Sequence, residues 1–322
     1  MRAVVLTKFG GIHHLEVQER EVPIVGPNQV LIDVHYAGVN FPDVLISKGL
    51  YQFKPELPFS PGGEASGLVA EVGEGVTHVK KGDLVIAAHP YGAFAEKMLV
   101  DAINTVALPP GADRVKAAAL LETYATGIHA FKDRAALQSG ESVAVLGAAG
   151  GTGIAEIQIA KKMGAQVIAA ASTAEKLTLA ERNGADYLIN YESEDLKEAL
   201  KKLGGVDVIY DPVGGRQSEM AFRAIKPGGR HLVIGFTSGD IPTLPWNLPL
   251  LKQASVVGVF WGGFWRINPQ GNIDNVHQLL SWMAEGAINP QIEEVLPLED
   301  AAEALGRIED RKVRGKLVLK VS

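Results

Sequence analysis

The residues best suited to chemistry start at Ser142, where the run Ser142-Val143-Ala144-Val145-Leu146 enters Gly147-Ala148-Ala149-Gly150-Gly151-Thr152-Gly153. A strand that turns through glycines into a helix leaves the first helical amides without intrahelical partners, and those amides attract an anion. A pyrophosphate suits that place. Gly150 would let the backbone approach it, Gly153 would let helix and strand pack closely, and Ala149, Gly151 and Thr152 complete the loop. The pattern G-x-G-x-x-G has Ala148 at its first glycine, unless Gly147 makes that turn. Beyond the second strand, where an acidic residue would bind the adenosine ribose diol, the chain reads Ala171-Ser172-Thr173-Ala174-Glu175-Lys176. The strand end carries no carboxylate, while the Ser172 hydroxyl and the Lys176 ammonium suit a 2′-phosphate. NADPH is therefore the expected dinucleotide, with Glu175 the dissenting residue and an ordinary exposed helix lysine the plain alternative for Lys176.

Other chemistries are weakened by subtraction. The chain has no cysteine, which excludes disulfides, thiolate zinc sites, iron–sulfur clusters and a cysteine nucleophile. Its eight histidines show no H-x-x-x-H spacing, and no G-x-S-x-G elbow occurs. The expected site holds no metal.

The elements that must position these residues follow from the texture of the chain. Up to about residue 110, short apolar runs such as Val30–Val34, Gly67–Val72 and Asp83–Ala87 alternate with glycine and proline, which predicts a strand-rich domain. From Ala117 the pattern changes to a helix over Ala117–Phe131, then strands at 142–146, 167–171, 185–189, 206–210, 230–234 and 256–260, separated by helical segments. Six strands alternating with helices predict a doubly wound parallel sheet. A helix near Glu299–Glu309 and a last β segment, Gly315–Val321, would rejoin the first domain. With 322 residues, 37 acidic against 31 basic side chains and a net charge of -6, the composition suits a two-domain globular chain and disfavours nucleic acid or anionic membranes as partners. No apolar stretch is long enough for membrane insertion, and a cytoplasmic enzyme is expected.

The chain resembles the medium-chain dehydrogenase/reductase superfamily, and within it the zinc-independent NADPH:quinone oxidoreductase, or zeta-crystallin-like, group. The residues that carry the likeness are Gly38-Val39-Asn40-Phe41-Pro42-Asp43 with Gly49-Leu50-Tyr51, Pro61 to Gly67, Gly73-Glu74-Gly75-Val76, Gly82-Asp83, the Ala148–Gly153 loop and Ile189-Asn190-Tyr191. In the zinc-dependent alcohol dehydrogenases of this superfamily a cysteine would stand at Asn40 and a histidine at Gly63. The resemblance implies an α/β architecture: a GroES-like β-rich catalytic domain over residues 1–122, completed by 292–322, and a Rossmann NADPH-binding domain over 123–291, with substrate in the cleft between them. It also implies that Asn40 contacts the nicotinamide ribose or substrate and that Thr126 lies near the nicotinamide. Tyr191 would pack near the adenine end with Ser172 and Lys176, Gly235 and Phe236 would border the cofactor, Phe260 and Lys316 would join the same set, and Tyr51 would line the quinone pocket. At Leu45 the chain departs from the group's other pocket tyrosine, and Ser47-Lys48 replaces its arginine.

Read without the likeness, Asn40 and Asp43 are residues that commonly cap or turn the backbone, Tyr51 is equally a half-buried aromatic, and Glu64 equally a structural hydrogen-bonding group. The expected activity is hydride transfer from NADPH to a quinone or related planar acceptor, with Asn40 and Tyr51 as donors to the oxygen that gains charge. Two rivals stand beside it: reduction of activated carbon–carbon double bonds in enones, alkenals or enoyl thioesters, and a low-turnover NADPH-binding regulatory or RNA-binding protein using the basic patch of Arg307, Arg311, Lys312, Arg314 and Lys316. Trp246, Phe260, Trp261, Phe264 and Trp265 concentrate aromatic surface near the sixth strand. That strand is the expected edge for a homodimer, and some flanking aromatics would wall the acceptor pocket.

Overall fold

The computed structural model describes residues 1–322. They divide into two compact units, one of 1–122, 265–280 and 290–322, the other of 123–264 and 281–289.

The first unit is built on a seven-stranded sheet. Its longest strand, Gln29–Val39, pairs antiparallel with Glu64–Val72 on one side and with Lys316–Lys320, near the C-terminus, on the other. Alternating apolar residues supply the core: Val30, Ile32 and Val34 pack with Val69, Val85, Leu317 and Leu319, all nearly inaccessible to water. The register has a chemical consequence. Leu317 faces Val39 and Gly38 faces Glu64, so Lys316, Asn40 and Glu64 arise together at one end of three adjacent strands. A short helix, Phe41–Ser47, then begins directly at Asn40.

The second unit carries six parallel strands at Ser142–Leu146, Gln166–Ala171, Tyr187–Asn190, Val206–Asp211, Ile225–Val233 and Ser255–Gly258. Numbered one to six along the chain, they lie in the order 3-2-1-4-5-6. That is the full dinucleotide arrangement, with its topological switch point between the first and fourth strands. The strands are apolar on both faces: Val143, Ala144, Val145, Ile168, Val208 and Ile209 are buried, as helices on each side require.

Two helical expectations need correction. The segment expected as a helix over Ala117–Phe131 consists of a short α-turn at Arg114–Ala117 and a later stretch of wide π turns, Leu121–Ala125 and His129–Arg134, around Thr126–Ile128. The widening flanks Gly127, against which the buried Glu156 carboxyl packs so closely that any side chain there would collide with it. The longest helix, Pro269–Ala284, was not expected at all. Its buried face includes Asn272 and Asn275 beside Val276, Leu279 and Leu280, so the apolar period is broken by polar residues.

Candidate functional site

In the second unit, the turn after the first parallel strand is made by Gly147, whose φ of +63 few side chains tolerate. The missing first glycine of the motif is thus supplied one residue earlier. Gly150 caps the helix Gly151–Lys162 without a side-chain hydrogen bond, and the first backbone bond within the helix runs from the Ile154 amide to the Gly150 carbonyl at 2.9 Å. The amides of Gly151, Thr152 and Gly153 therefore remain free of intrahelical partners at the positive end of a twelve-residue helix. A Cβ on Gly150 would meet only the Gly147 carbonyl oxygen, at 3.7 Å, which leaves that face open to a ligand. A Cβ on Gly153 would collide with the Gly147 oxygen and the Ala148 backbone. Ala149 is buried beneath the loop. The loop can hold a pyrophosphate.

The second strand ends beside it, with the Ala148 amide bonded to the Ala170 carbonyl at 3.2 Å. There Lys176 Nζ lies 3.4 Å from Ser172 Oγ, both partly exposed, and the Tyr191 amide donates to the Ala171 carbonyl at 3.2 Å. Ser172, Lys176 and Tyr191 thus gather where the second and third strands finish. Thr173 spends its hydroxyl on capping the next helix, accepting from the Lys176 amide at 3.3 Å.

The fourth and fifth strand ends are held by a residue that carried no motif. Asp211 is buried and accepts from the Val213 and Gly214 amides at 2.9 Å each, from His231 Nε2 at 3.0 Å and from the Ser218 hydroxyl. Despite its burial, these donors hold its carboxyl below the ordinary range. Gly235 and Phe236 follow the fifth strand, and the Phe236 ring fits against Gly214 so closely that a Cβ there would lie 2.9 Å from it. Thr126 starts the short turn between the two π segments, and Phe260, half exposed, follows the sixth strand.

In the first unit, the shared strand end produces a dense polar cluster. Lys316 Nζ donates to Glu64 Oε1 at 2.9 Å and to Asn40 Oδ1, and Asn40 Nδ2 donates to the same Glu64 oxygen at 2.8 Å. The second Glu64 oxygen accepts from the Leu121 and Glu122 amides at 2.8 and 3.0 Å. Asn40, Glu64 and Lys316 are all buried. The Lys316 ammonium is therefore committed inside this unit. The Asn40 amide also donates to Asp43 Oδ2 at 2.9 Å, closing the helix start. Burial lifts the Asp43 carboxyl to about 7 against the pull of its Asn40 hydrogen bond and of Lys316. Glu122 retains some exposure, yet desolvation first, then the charges of Glu64 and Asp43, lift it to about 8. Its carboxyl fills the room beside Gly63, where a Cβ would lie 2.8 Å from Oε1. Tyr51 packs on Leu6, Ile46 and Phe59. Burial, then Glu122 and Asp43, push its hydroxyl up to about 12, with Arg266 opposing.

A divalent metal fits poorly among these groups. No three histidine, aspartate or glutamate side chains converge in a metal-ligand arrangement. An ammonium stands against Asn40, and a neighbouring cation would be repelled by it. Of the basic patch, Arg307 pairs with Glu294 at 2.6 Å, Lys312 pairs with Asp310 at 2.7 Å and Lys316 is buried. Glu122, Asp211 and the full role of Glu64 escaped the sequence; the Asp211-Pro212-Val213-Gly214-Gly215 run at a strand end was the available signal for one of them.

The chain matches the model of the alcohol dehydrogenase GroES-like domain over residues 26–110 and that of the zinc-binding dehydrogenase domain over 151–285. It is 40% identical over 309 residues to quinone oxidoreductase-like protein 2 of Bos taurus, covering 95% of this chain and 88% of that one. Among solved structures, a probable oxidoreductase from Mycobacterium abscessus shares 38% identity with a TM-score of 0.89, covering 100% of this chain and 99% of that one. An Escherichia coli quinone oxidoreductase complexed with NADPH shares 29% identity with a TM-score of 0.91, and each chain is covered over 100% of its length. No helix is long and apolar enough to cross a membrane. With both domain models matched in order, a strand order of 3-2-1-4-5-6 and 40% identity over nearly the full length to such a relative, the chain belongs to the medium-chain dehydrogenase/reductase family, in its quinone oxidoreductase-like group.

Proposed function

We propose that this oxidoreductase uses NADPH to reduce a quinone, without zinc. The observation that carries the reading is the second unit's strand-end row: free amides at Gly151–Gly153, with Ser172 and Lys176 beside them and no carboxylate closing the second strand. The amides and helix dipole hold the pyrophosphate, and Lys176 with Ser172 favours the 2′-phosphate. The Escherichia coli relative's NADPH complex supports the same choice.

When bound, NADPH supplies a hydride, two electrons and one proton, to the quinone. Reduction of one quinone to hydroquinone takes that hydride and one further proton from solvent. The chain's task is to orient the acceptor and to meet the oxygen that becomes negative. Asn40 offers an amide N–H, and Tyr51, kept protonated by its surroundings, offers a hydroxyl. Preorganised donors of this kind lower the barrier because they need no rearrangement as charge develops. The Lys316 ammonium near Asn40 and the absence of converging metal ligands support a reaction without zinc.

We further propose that two copies pair through the Ser255–Gly258 edge. That strand has a neighbour on one side only, and Val256, Trp246, Leu250 and Phe260 near it in sequence are exposed. An apolar open edge pairs readily with its own copy.

The test is NADPH oxidation with a panel of quinones, enones and enoyl thioesters, each repeated with NADH. Turnover highest with quinones and with NADPH supports the reading. Higher turnover with enones or thioesters overturns the acceptor, and tight NADPH binding without turnover overturns the enzyme.

A further inference from the structure

The Asn40 side chain is gripped at both ends by groups that cannot exchange roles. Its Oδ1 accepts from the Lys316 ammonium, and its Nδ2 donates to Glu64 Oε1 at 2.8 Å. An ammonium offers no acceptor and a carboxylate offers no donor. Turning the amide over would set its NH2 against the ammonium and its oxygen against the carboxylate, in a place closed to water. The grip is itself anchored. Lys316 and Glu64 are bonded to each other at 2.9 Å, and the free Glu64 oxygen is held by the Leu121 and Glu122 amides. Gly38 is part of the device, since any side chain there would strike the Glu64 carboxyl.

A buried ion pair is a weak source of stability, because desolvation offsets most of its attraction; specificity is its better-attested use. Glu64 takes one of the two Nδ2 hydrogens and leaves the second as a donor. The opposite orientation would present the carbonyl oxygen to the same space and repel an oxygen gaining negative charge.

We propose that the buried Lys316–Glu64 pair is a clamp that fixes the orientation of the Asn40 amide, so that its second N–H always faces the reacting oxygen of the acceptor. The inference rests on the reading of Asn40 as a donor to that oxygen. Lys316 and Glu64 are positioning residues, acting on the reaction through Asn40.

Steady-state kinetics with NADPH and 1,4-naphthoquinone test it. Asn40→Ala should lower kcat by about 10²-fold, the usual effect of losing one such donor. Lys316→Met combined with Glu64→Gln removes both charges together and leaves neither partner as a lone buried ion. That pair should lower kcat roughly tenfold, with the KM for NADPH changed less than about threefold, a smaller loss than full removal of the donor. In an Asn40→Ser background, where a hydroxyl rotates freely, the same pair should cost nothing further. An equal loss in both backgrounds, or no loss in either, overturns the clamp. If Asn40→Ala itself leaves kcat unchanged, the donor reading falls with it; if Asn40→Ala is impaired while the clamp variant is not, the clamp alone falls. Should the clamp variant not fold, the unaltered protein decides by NMR. The Asn40 side-chain NH2 should give one resonance pair, identified by its loss in Asn40→Ser, and two exchanging pairs would overturn the proposal.

Discussion

On the proposed reading cofactor choice turns on Lys176, and its place 3.4 Å from the Ser172 hydroxyl gives a direct prediction. A charge-assisted bond to a 2′-phosphate is worth about 1.5–3 kcal/mol, so Lys176→Ala should weaken kcat/KM for NADPH by roughly 10- to 100-fold. NADH kinetics should stay near their starting values, and an equal loss with both dinucleotides would show that Lys176 does not read the phosphate. Glu122 gives a second prediction. Its carboxyl is lifted to about 8, so between its ordinary value and 8 the folded state binds more protons than the unfolded chain. Stability contributed this way is present at acid pH and is lost as pH rises toward 8. Glu122→Gln should therefore raise the melting temperature at pH 8.5 more than at pH 5.5, by about 1.5 °C for each ~1 kcal/mol recovered. A pH-independent change would contradict the buried acid.

At the scale of elements, the Gly147–Gly153 turn was legible because its signal is local: strand, glycine turn and helix start lie within about twenty consecutive residues, and each step has its own sequence signal. The polar cluster was only half legible. Asn40 stood out by its likeness to the family, whereas its meeting with Lys316 spans 276 residues and depends on the register of Leu317 on Val39. Glu64 reads equally as structural or catalytic, because a lone glutamate among small residues does not reveal its partners. The helix Pro269–Ala284 stayed hidden for the opposite reason, since Asn272 and Asn275 occupy core-facing positions that pattern reading assigns to apolar residues. The Gly147–Gly153 turn also yields a prediction. Gly153→Ala would force a methyl into the Gly147 carbonyl, so the loop must open. Overpacking of this kind costs about 1–3 kcal/mol, and NADPH binding should weaken along with thermal stability. Normal binding and melting would show that the turn has slack.

For the whole molecule, the open Ser255–Gly258 edge predicts assembly. A charged residue at Val256, which is 45% exposed, should shift sedimentation from dimer to monomer. A monomer before substitution would remove the edge as an interface. The proposed reaction is reduction of a quinone by NADPH without zinc, on a chain with Asn40 and Gly63 where the family resemblance implies the cysteine and histidine of the zinc-dependent type. The most direct measurement is quinone-dependent NADPH oxidation by enzyme treated with a strong chelator, with bound zinc assayed in the same sample. Turnover undiminished at zinc far below one ion per chain is the predicted result. Turnover lost on chelation and restored by added zinc would contradict the account.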